Sequence, residues 1–387
     1  MMTDVLSPRA LMEKLIGFDT VSRNSNLPLI DWVLGYLKSH GIKAEKHVTD
    51  DGEKAGLWAH AGPWEPGGVV LNGHTDVVPV DGQAWVTDPF TVVEKDGKLY
   101  GRGTCDMKGF DALAIWAMVE AHTRGVSRPL QLALTWDEEV GCIGAAPLIA
   151  SLADKFPRAS DVIVGEPTMM ETVTGHKGGV TYWVHVHGFE VHSSILHTGV
   201  SAVMEAAKLI DWANQMNAEL GAATPQGMAA IFDPPYTNLH VGQISGGTAH
   251  NISAKDCEFG FGFRVVPGEN PDDWRARFTA KVAEIEAGMK AIRPESSIEV
   301  REIFYLPPFA PTENNAAEAL VRSLSGDNAT HVVSYGSDAS HFQAAGFATV
   351  LCGPGNIAMA HQPNEYITIA QFEEGQAFLN RLLDRLS

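Results

Sequence analysis

The sequence predicts an α/β fold in which one domain, residues 1–176 and 306–387, is interrupted by an inserted ferredoxin-like βαββαβ unit, residues 177–305. Three observations carry this. Helical and strand patterns alternate up to Thr135, as in domains built on a parallel sheet. Apolar runs such as "GGVVLN" and "LQLALTW" are nearly continuous, which suits strands covered on both faces. After "VIVGEPT" the texture changes: "GVTYWVHVHG" alternates like a strand with one wet face, and the elements after it read βαββαβ.

In order, the periodicity predicts helices near 7–17 and 27–40, then strands near 42–48, 54–60 and 68–73. A helix near 108–123 and a strand near 129–135 follow, all arranged around a largely parallel sheet. The insert begins with "GVTYWVHVHG", passes through the helical repeat "SAVMEAAKLIDWANQM", and continues with the strands "NLHVGQISGG" and "KDCEFGFGFRVVPG". Its second helix opens at Asn270, a good cap, with Pro271 in the first turn, and leads into the strand "SSIEVREIFY". The prolines of "LPPFAP" mark the return, after which "ALVRSLS", "HVVSYGSDASHF", "TVLCGPG" and a final helix resume the α/β pattern.

A chain of 387 residues with 45% hydrophobic content can build a substantial core and two domains. Its 28 basic and 47 acidic residues leave a net charge of −19 with no basic block, which argues against nucleic acid or an acidic membrane as partner. The segment "MMTDVLSPRALMEKLIGFDTVS" reads as a helix rather than a secretion signal, and no later stretch is long and apolar enough to span a bilayer, so a cytoplasmic location is expected. Cys105, Cys142, Cys257 and Cys352 are too widely spaced for a disulfide framework or a paired zinc pattern.

Ligands of α/β proteins gather at the carboxyl ends of the strands. There "VVLNGHTDVVP" presents His74 and Asp76, "LYGRGTCDMKGF" presents Asp106, "LTWDEEVG" presents Glu138 and Glu139, and "VIVGEPT" presents Glu166; "GNIAMAHQPNEY" adds His361. Each alone also reads as ordinary, a hydrogen-bonded histidine or a helix cap. Together, imidazoles and carboxylates in one cleft suit zinc or a similar divalent ion, and five ligands serve two ions only if one is shared.

The pieces "GHTDVVP", "GRGTCDMKG", "DEEVG", "GEPT" and "AHQPNEY" resemble the motif set of the di-zinc aminoacylase and carboxypeptidase family, which includes glutamate carboxypeptidase, succinyl-diaminopimelate desuccinylase and acetylornithine deacetylase. The resemblance runs over nearly the whole chain. "PPYTNLHVGQISGGTAHN", "FRVVPGE" and "CGPGNIAMAHQPNEY" are most similar to the acetylornithine deacetylase branch. It implies a zinc-peptidase-like catalytic domain with an inserted lid and dimerisation domain, and two divalent ions per subunit, zinc with cobalt able to substitute. Asp106 would bridge the ions, His74 and Glu166 would complete one site, and Glu139 and His361 the other. Glu138 would be the general base, Asp76 would orient His74, and a cis peptide would follow Asp106.

Within the insert, His192 in "GFEVHSS" matches a family histidine that reaches the partner subunit's active site and stabilises the oxyanion, which implies a homodimer. Arg264 and Asn251 are candidate binders of the substrate carboxylate, with Lys177, Gly336 and Ser337 as further candidates where related enzymes close over substrate. The chain departs from the family pattern at Ala254, where a proline is common. Asp338 reads as an exposed loop carboxylate rather than a partner for a substrate ammonium. His185 and His187 alternate along one strand, but with no acidic or sulfur partner near them in sequence they are read as strand residues rather than a metal site.

The activity this implies is hydrolysis of an N-acylated amino acid, N2-acetyl-L-ornithine, to acetate and L-ornithine in arginine synthesis. A desuccinylase, a broad aminoacylase or a dipeptidase would keep the same metal residues. A non-catalytic relative would often lack Glu138 or a ligand, and none is missing. A serine hydrolase built on Ser193 or Ser194 lacks the G-x-S-x-G elbow.

Overall fold

A computed structural model describes residues 4–152 and 155–387 of the chain; residues 1–3 of the N-terminal segment quoted above lie outside them. The chain forms two compact units. One runs to Thr174 and takes up Pro311–His331 and Ser337–Ser387; the other comprises Gly175–Ala310 with Val332–Gly336.

The eight-stranded sheet runs in the order Lys43–Val48, Ala55–Ala61, Leu130–Thr135, Val69–His74, Asp161–Val164, Ala348–Leu351, Val173–His176, His331–Val333. The pairings of Val69–His74 with both its neighbours, and of Asp161–Val164 with Ala348–Leu351, are parallel. Those of Lys43–Val48 with Ala55–Ala61, and of Ala55–Ala61 with Leu130–Thr135, are antiparallel. The sheet is therefore mixed rather than largely parallel. The short link between Lys43–Val48 and Ala55–Ala61 cannot hold a crossover and allows only a hairpin.

The two central strands Val69–His74 and Leu130–Thr135 are buried along their whole length, as their unbroken apolar runs require. Helix Lys108–Arg124 packs on them and is itself enclosed by helices Pro8–Ile16 and Ile369–Leu386. Its approach is close: a Cβ added to Gly73 would lie 2.1 Å from Asp111 Oδ1, so only glycine allows the helix to sit against the strand immediately before His74. Register then aligns the strand ends, with His74 opposite Thr135 and Asn72 opposite Val164.

The second unit contains a four-stranded sheet in the order Asn238–Gly246, Asp256–Val265, Gly178–His187, Ser297–Leu306, antiparallel throughout. With helices Ala202–Ala222 and Pro271–Ile292 this is the βαββαβ connectivity. Phe259, Phe261 and Phe263 alternate onto one face and pack with Leu209, Trp274 and Phe278. Thr181, Trp183, His185 and His187 point to the other face. Asn270 caps the second helix as its position suggests, accepting a hydrogen bond from Asp272 N at 3.0 Å, a contact worth about 1 kcal/mol.

Some elements are not visible in the sequence pattern. Val93–Lys95, Lys98–Tyr100 and Tyr366–Thr368 form a separate three-stranded sheet, each strand too short to show alternation. All four cysteines are free and buried.

Candidate active site

His74 ends its strand, Asp106 precedes helix Lys108–Arg124, Glu138 and Glu139 follow Leu130–Thr135, and Glu166 follows Asp161–Val164. Three adjacent parallel strands thus deliver His74, the Glu138–Glu139 pair and Glu166 to one end of the sheet, and the loop before the helix adds Asp106. His361, from a segment more than 250 residues after Asp106, joins them with its backbone in the left-handed region at φ 62°. Asp137, just before the paired glutamates, adopts φ 53°. Non-glycine residues seldom adopt such angles, and here they flank the chemically dense part of the fold.

Asp106 divides its carboxylate. Oδ1 lies 3.0 Å from His74 Nε2, and Oδ2 lies 3.3 Å from His361 Nε2, which is also 2.9 Å from Glu139 Oε2. Two triads result, His74 with Asp106 and Glu166, and Asp106 with Glu139 and His361, each with its ligand atoms within 4.8 Å of one another. Glu138 belongs to neither. Its Oε2 is 3.9 Å from His74 Nε2, and its Oε1 accepts a hydrogen bond from Cys142 Sγ.

The donor chemistry of the triads calls for cations. His74 Nδ1 lies 2.9 Å from the Asp76 carbonyl, which can only accept, so Nδ1 carries the proton. In a neutral ring Nε2 then presents a lone pair to the Asp106 carboxylate. The ring must hold a second proton or face a positive ion between the two groups. Glu139 Oε1 and Glu166 Oε1 are buried without a hydrogen-bond partner among the described residues. Burial pushes the carboxyls of Glu138, Glu139 and Glu166 upward. It acts upward on Asp106 too, but hydrogen bonds from His361 and His74 outweigh it and hold that group low. Hydrogen bonds to Asp106 and Glu139 raise His361 to about 10. So many buried acids in mutual repulsion are a poor arrangement without positive charge among them and a good one with it.

Asp76 contributes through both its main chain and its side chain. Its carbonyl, not its carboxylate, orients His74. The carboxylate accepts Glu138 N at 3.1 Å through Oδ1, and through Oδ2 it accepts Glu139 N at 3.3 Å and Ser22 Oγ at 2.7 Å. It therefore fixes the turn that bears both glutamates. The Asp106–Met107 peptide is cis. Asp338 is buried, not exposed, and accepts Thr135 Oγ1 at 2.6 Å; burial raises it to about 6.

Sequence reasoning missed the brace behind the triads. Buried Glu365 accepts the main-chain N–H groups of Gly103, Cys105 and Asp106 at 2.9–3.1 Å and pairs with Arg102 Nη1 at 2.6 Å. Arg102 also donates to Gln83 Oε1, and Gln83 Nε2 donates to the His361 carbonyl at 2.9 Å. One network thus holds the loops carrying Asp106 and His361. The available signal was an acidic residue four positions after a ligand candidate.

The other candidates fall mostly in the second unit. His192 is exposed and its Nδ1 accepts Ser194 N at 3.2 Å. Asn251 is exposed, and its carbonyl accepts Ser193 N at 2.9 Å, so the His192 and Asn251 segments lie side by side. Ala254, which stands where the family proline would, is buried, and its carbonyl accepts Ala202 N. Arg264 is exposed at the end of its strand. Lys177 donates to the Tyr236 carbonyl at 2.9 Å, and burial lowers its amine to about 8. Gly336 belongs to this unit, where an added Cβ would lie 2.1 Å from Leu306 Cδ2; Ser337 is buried in the first.

Residues 70–385 match the sequence profile of Peptidase family M20/M25/M40. The chain belongs to this family. It is a hydrolase acting on amide bonds. An acetylornithine deacetylase of Myxococcus xanthus is 34% identical over 395 residues, covering 98% of this chain and 98% of the relative. The M20 metallo-carboxypeptidase Sso-CP2 of Sulfolobus solfataricus shares the fold, with a TM-score of 0.78 at 17% identity over 98% of each chain. The Bacillus subtilis YXEP protein, described as a dinuclear metal-binding peptidase, superposes with a TM-score of 0.66 at 14% identity, over 98% of this chain and 97% of its own. Among the described residues no helix of this M20 protein is long and apolar enough to cross a membrane.

Proposed function

We propose that this M20 hydrolase is a cytoplasmic di-zinc deacylase that converts N2-acetyl-L-ornithine to acetate and L-ornithine, with cobalt able to replace zinc. The division of the Asp106 carboxylate between two triads carries the reading. His74, Asp106 and Glu166 would hold one ion, and Asp106, Glu139 and His361 the other. Divalent ions bound there supply positive charge that polarises an amide carbonyl and eases the deprotonation of water.

Glu138 takes the proton of the attacking water and delivers it to the departing amine nitrogen as the C–N bond breaks. Its place outside both triads leaves it free for that work. His192 has the tautomer its role needs: with Nδ1 accepting from Ser194, the proton sits on Nε2, ready to be donated to the oxyanion in the partner subunit. That role requires a homodimer. Arg264 and Asn251 are assigned to the substrate carboxylate, and Lys177, Gly336 and Ser337 to the substrate-closing segments.

Acetylornithine is preferred because a relative bearing that name matches 98% of this chain at 34% identity. A panel of N-acetyl and N-succinyl amino acids assayed with added zinc or cobalt is expected to show the highest kcat/KM for N2-acetyl-L-ornithine. Selective turnover of a succinylated diacid would defeat the choice. The brace gives a separate expectation: Glu365→Gln weakens zinc binding by about 10–100-fold, measured as the zinc needed to restore half-maximal activity, with kcat largely recovered at saturating zinc.

A further inference from the structure

In the second unit, the sheet face opposite the helices gathers another set of metal-ligating groups. His185 and His187 lie two positions apart on Gly178–His187, so both project from the face opposite the helices. Sheet register supplies the acidic partners that sequence proximity does not. Asp256 stands opposite His187 and Glu258 opposite His185 on one neighbouring strand, and Glu299 stands opposite His185 on the other.

The imidazole ring centroids are 3.7 Å apart. Asp256 Oδ1 lies 3.0 Å from His185 Nε2 and 3.3 Å from His187 Nδ1, occupying one nitrogen of each ring as carboxylates behind metal-bound histidines do. The remaining nitrogen of His187, Nε2, is enclosed and has no hydrogen-bond partner among the described residues. It stands 3.5 Å from Glu299 Oε1. That is long for a hydrogen bond but close to the roughly 3.3 Å edge of a tetrahedron whose metal bonds measure about 2.0–2.1 Å. A nitrogen of each ring and an oxygen of Glu299 lie within 4.8 Å of one another.

We propose that His185, His187 and Glu299 form an additional binding site for zinc or a chemically similar transition-metal ion, with Asp256 positioning both rings. The mixed imidazole and carboxylate set selects such an ion over calcium or magnesium, which take oxygen ligands. The bound ion ties Gly178–His187 to Ser297–Leu306, at the end of the strand that leads into the His192 segment.

The test is the zinc content of the full-length protein after equilibrium dialysis against micromolar Zn2+. His187→Asn is expected to bind one ion per chain fewer than the unsubstituted protein while hydrolysing amides at an unchanged rate. The result is a difference between two proteins, so it does not depend on how many ions the Asp106 triads hold or on the substrate. Glu299→Gln, at an exposed position, is expected to show the same loss, and it carries the test should His187→Asn prove less stable in thermal unfolding. Equal zinc content in the unsubstituted protein and in both variants overturns the proposal.

Discussion

Glu138→Ala is expected to lower kcat by about 10²–10⁴-fold, the usual contribution of a positioned general base, and to leave zinc content unchanged. The separation of the two effects follows from geometry. Glu138 is a member of neither triad. Its side chain accepts a hydrogen bond from Cys142 Sγ, outside them, and the turn that carries it is fixed through main-chain N–H groups on the Asp76 carboxylate. Alanine keeps those N–H groups, so Glu139 stays in place beside His361. In the proposed role Glu138 acts on the water rather than on the bound substrate, so KM should change little. Steady-state kinetics in excess zinc and metal analysis of the same preparation read both quantities. Zinc lost together with activity would mean that the neighbouring glutamates have the opposite roles, and Glu139→Ala would then be the variant that keeps its ions.

The seven groups His74, Asp76, Asp106, Glu138, Glu139, Glu166 and His361 were legible because most follow apolar runs that can only be strands, and strand ends are where an α/β sheet exposes side chains. Which of them touch was not legible from the residues alone. That depends on strand order, and hydrophobic periodicity carries no information about order or direction; the antiparallel flank of the large sheet was misread for the same reason. The Glu365 brace was hidden by distance: Arg102 and Glu365 stand 263 positions apart, and a buried glutamate four residues after a histidine looks like any loop acid. Asp338 was misjudged because a glycine- and serine-rich stretch suggests solvent, whereas its carboxylate is buried against Thr135. His185 and His187 show the reverse case, visible as a pattern yet lacking partners until the sheet register brought Asp256 and Glu299 beside them.

Asp106→Ala should remove both catalytic ions at once, whereas His361→Ala should remove one. The two oxygens of Asp106 are divided between the triads, so its loss strips a ligand from each and takes away the carboxylate that lies between His74 and His361. What remains on one side is His74 and Glu166, and on the other His361 and Glu139, two protein ligands each where zinc normally takes three or four. His361 is the more replaceable group, because its side chain is about half exposed and water can occupy the position it leaves. Thermal unfolding separates the cases without reference to catalysis. An ion present at about 1,000 times its dissociation constant stabilises the folded state by about 4 kcal/mol. Zinc should therefore raise Tm most in the unsubstituted protein, less in His361→Ala, and least in Asp106→Ala, where only binding outside the triads is left. Hydrolysis should be undetectable in Asp106→Ala at any zinc concentration. A zinc-dependent rise in Tm as large in Asp106→Ala as in the unsubstituted protein would show that the ions do not share this carboxylate, and the assignment of the two triads would fail with it.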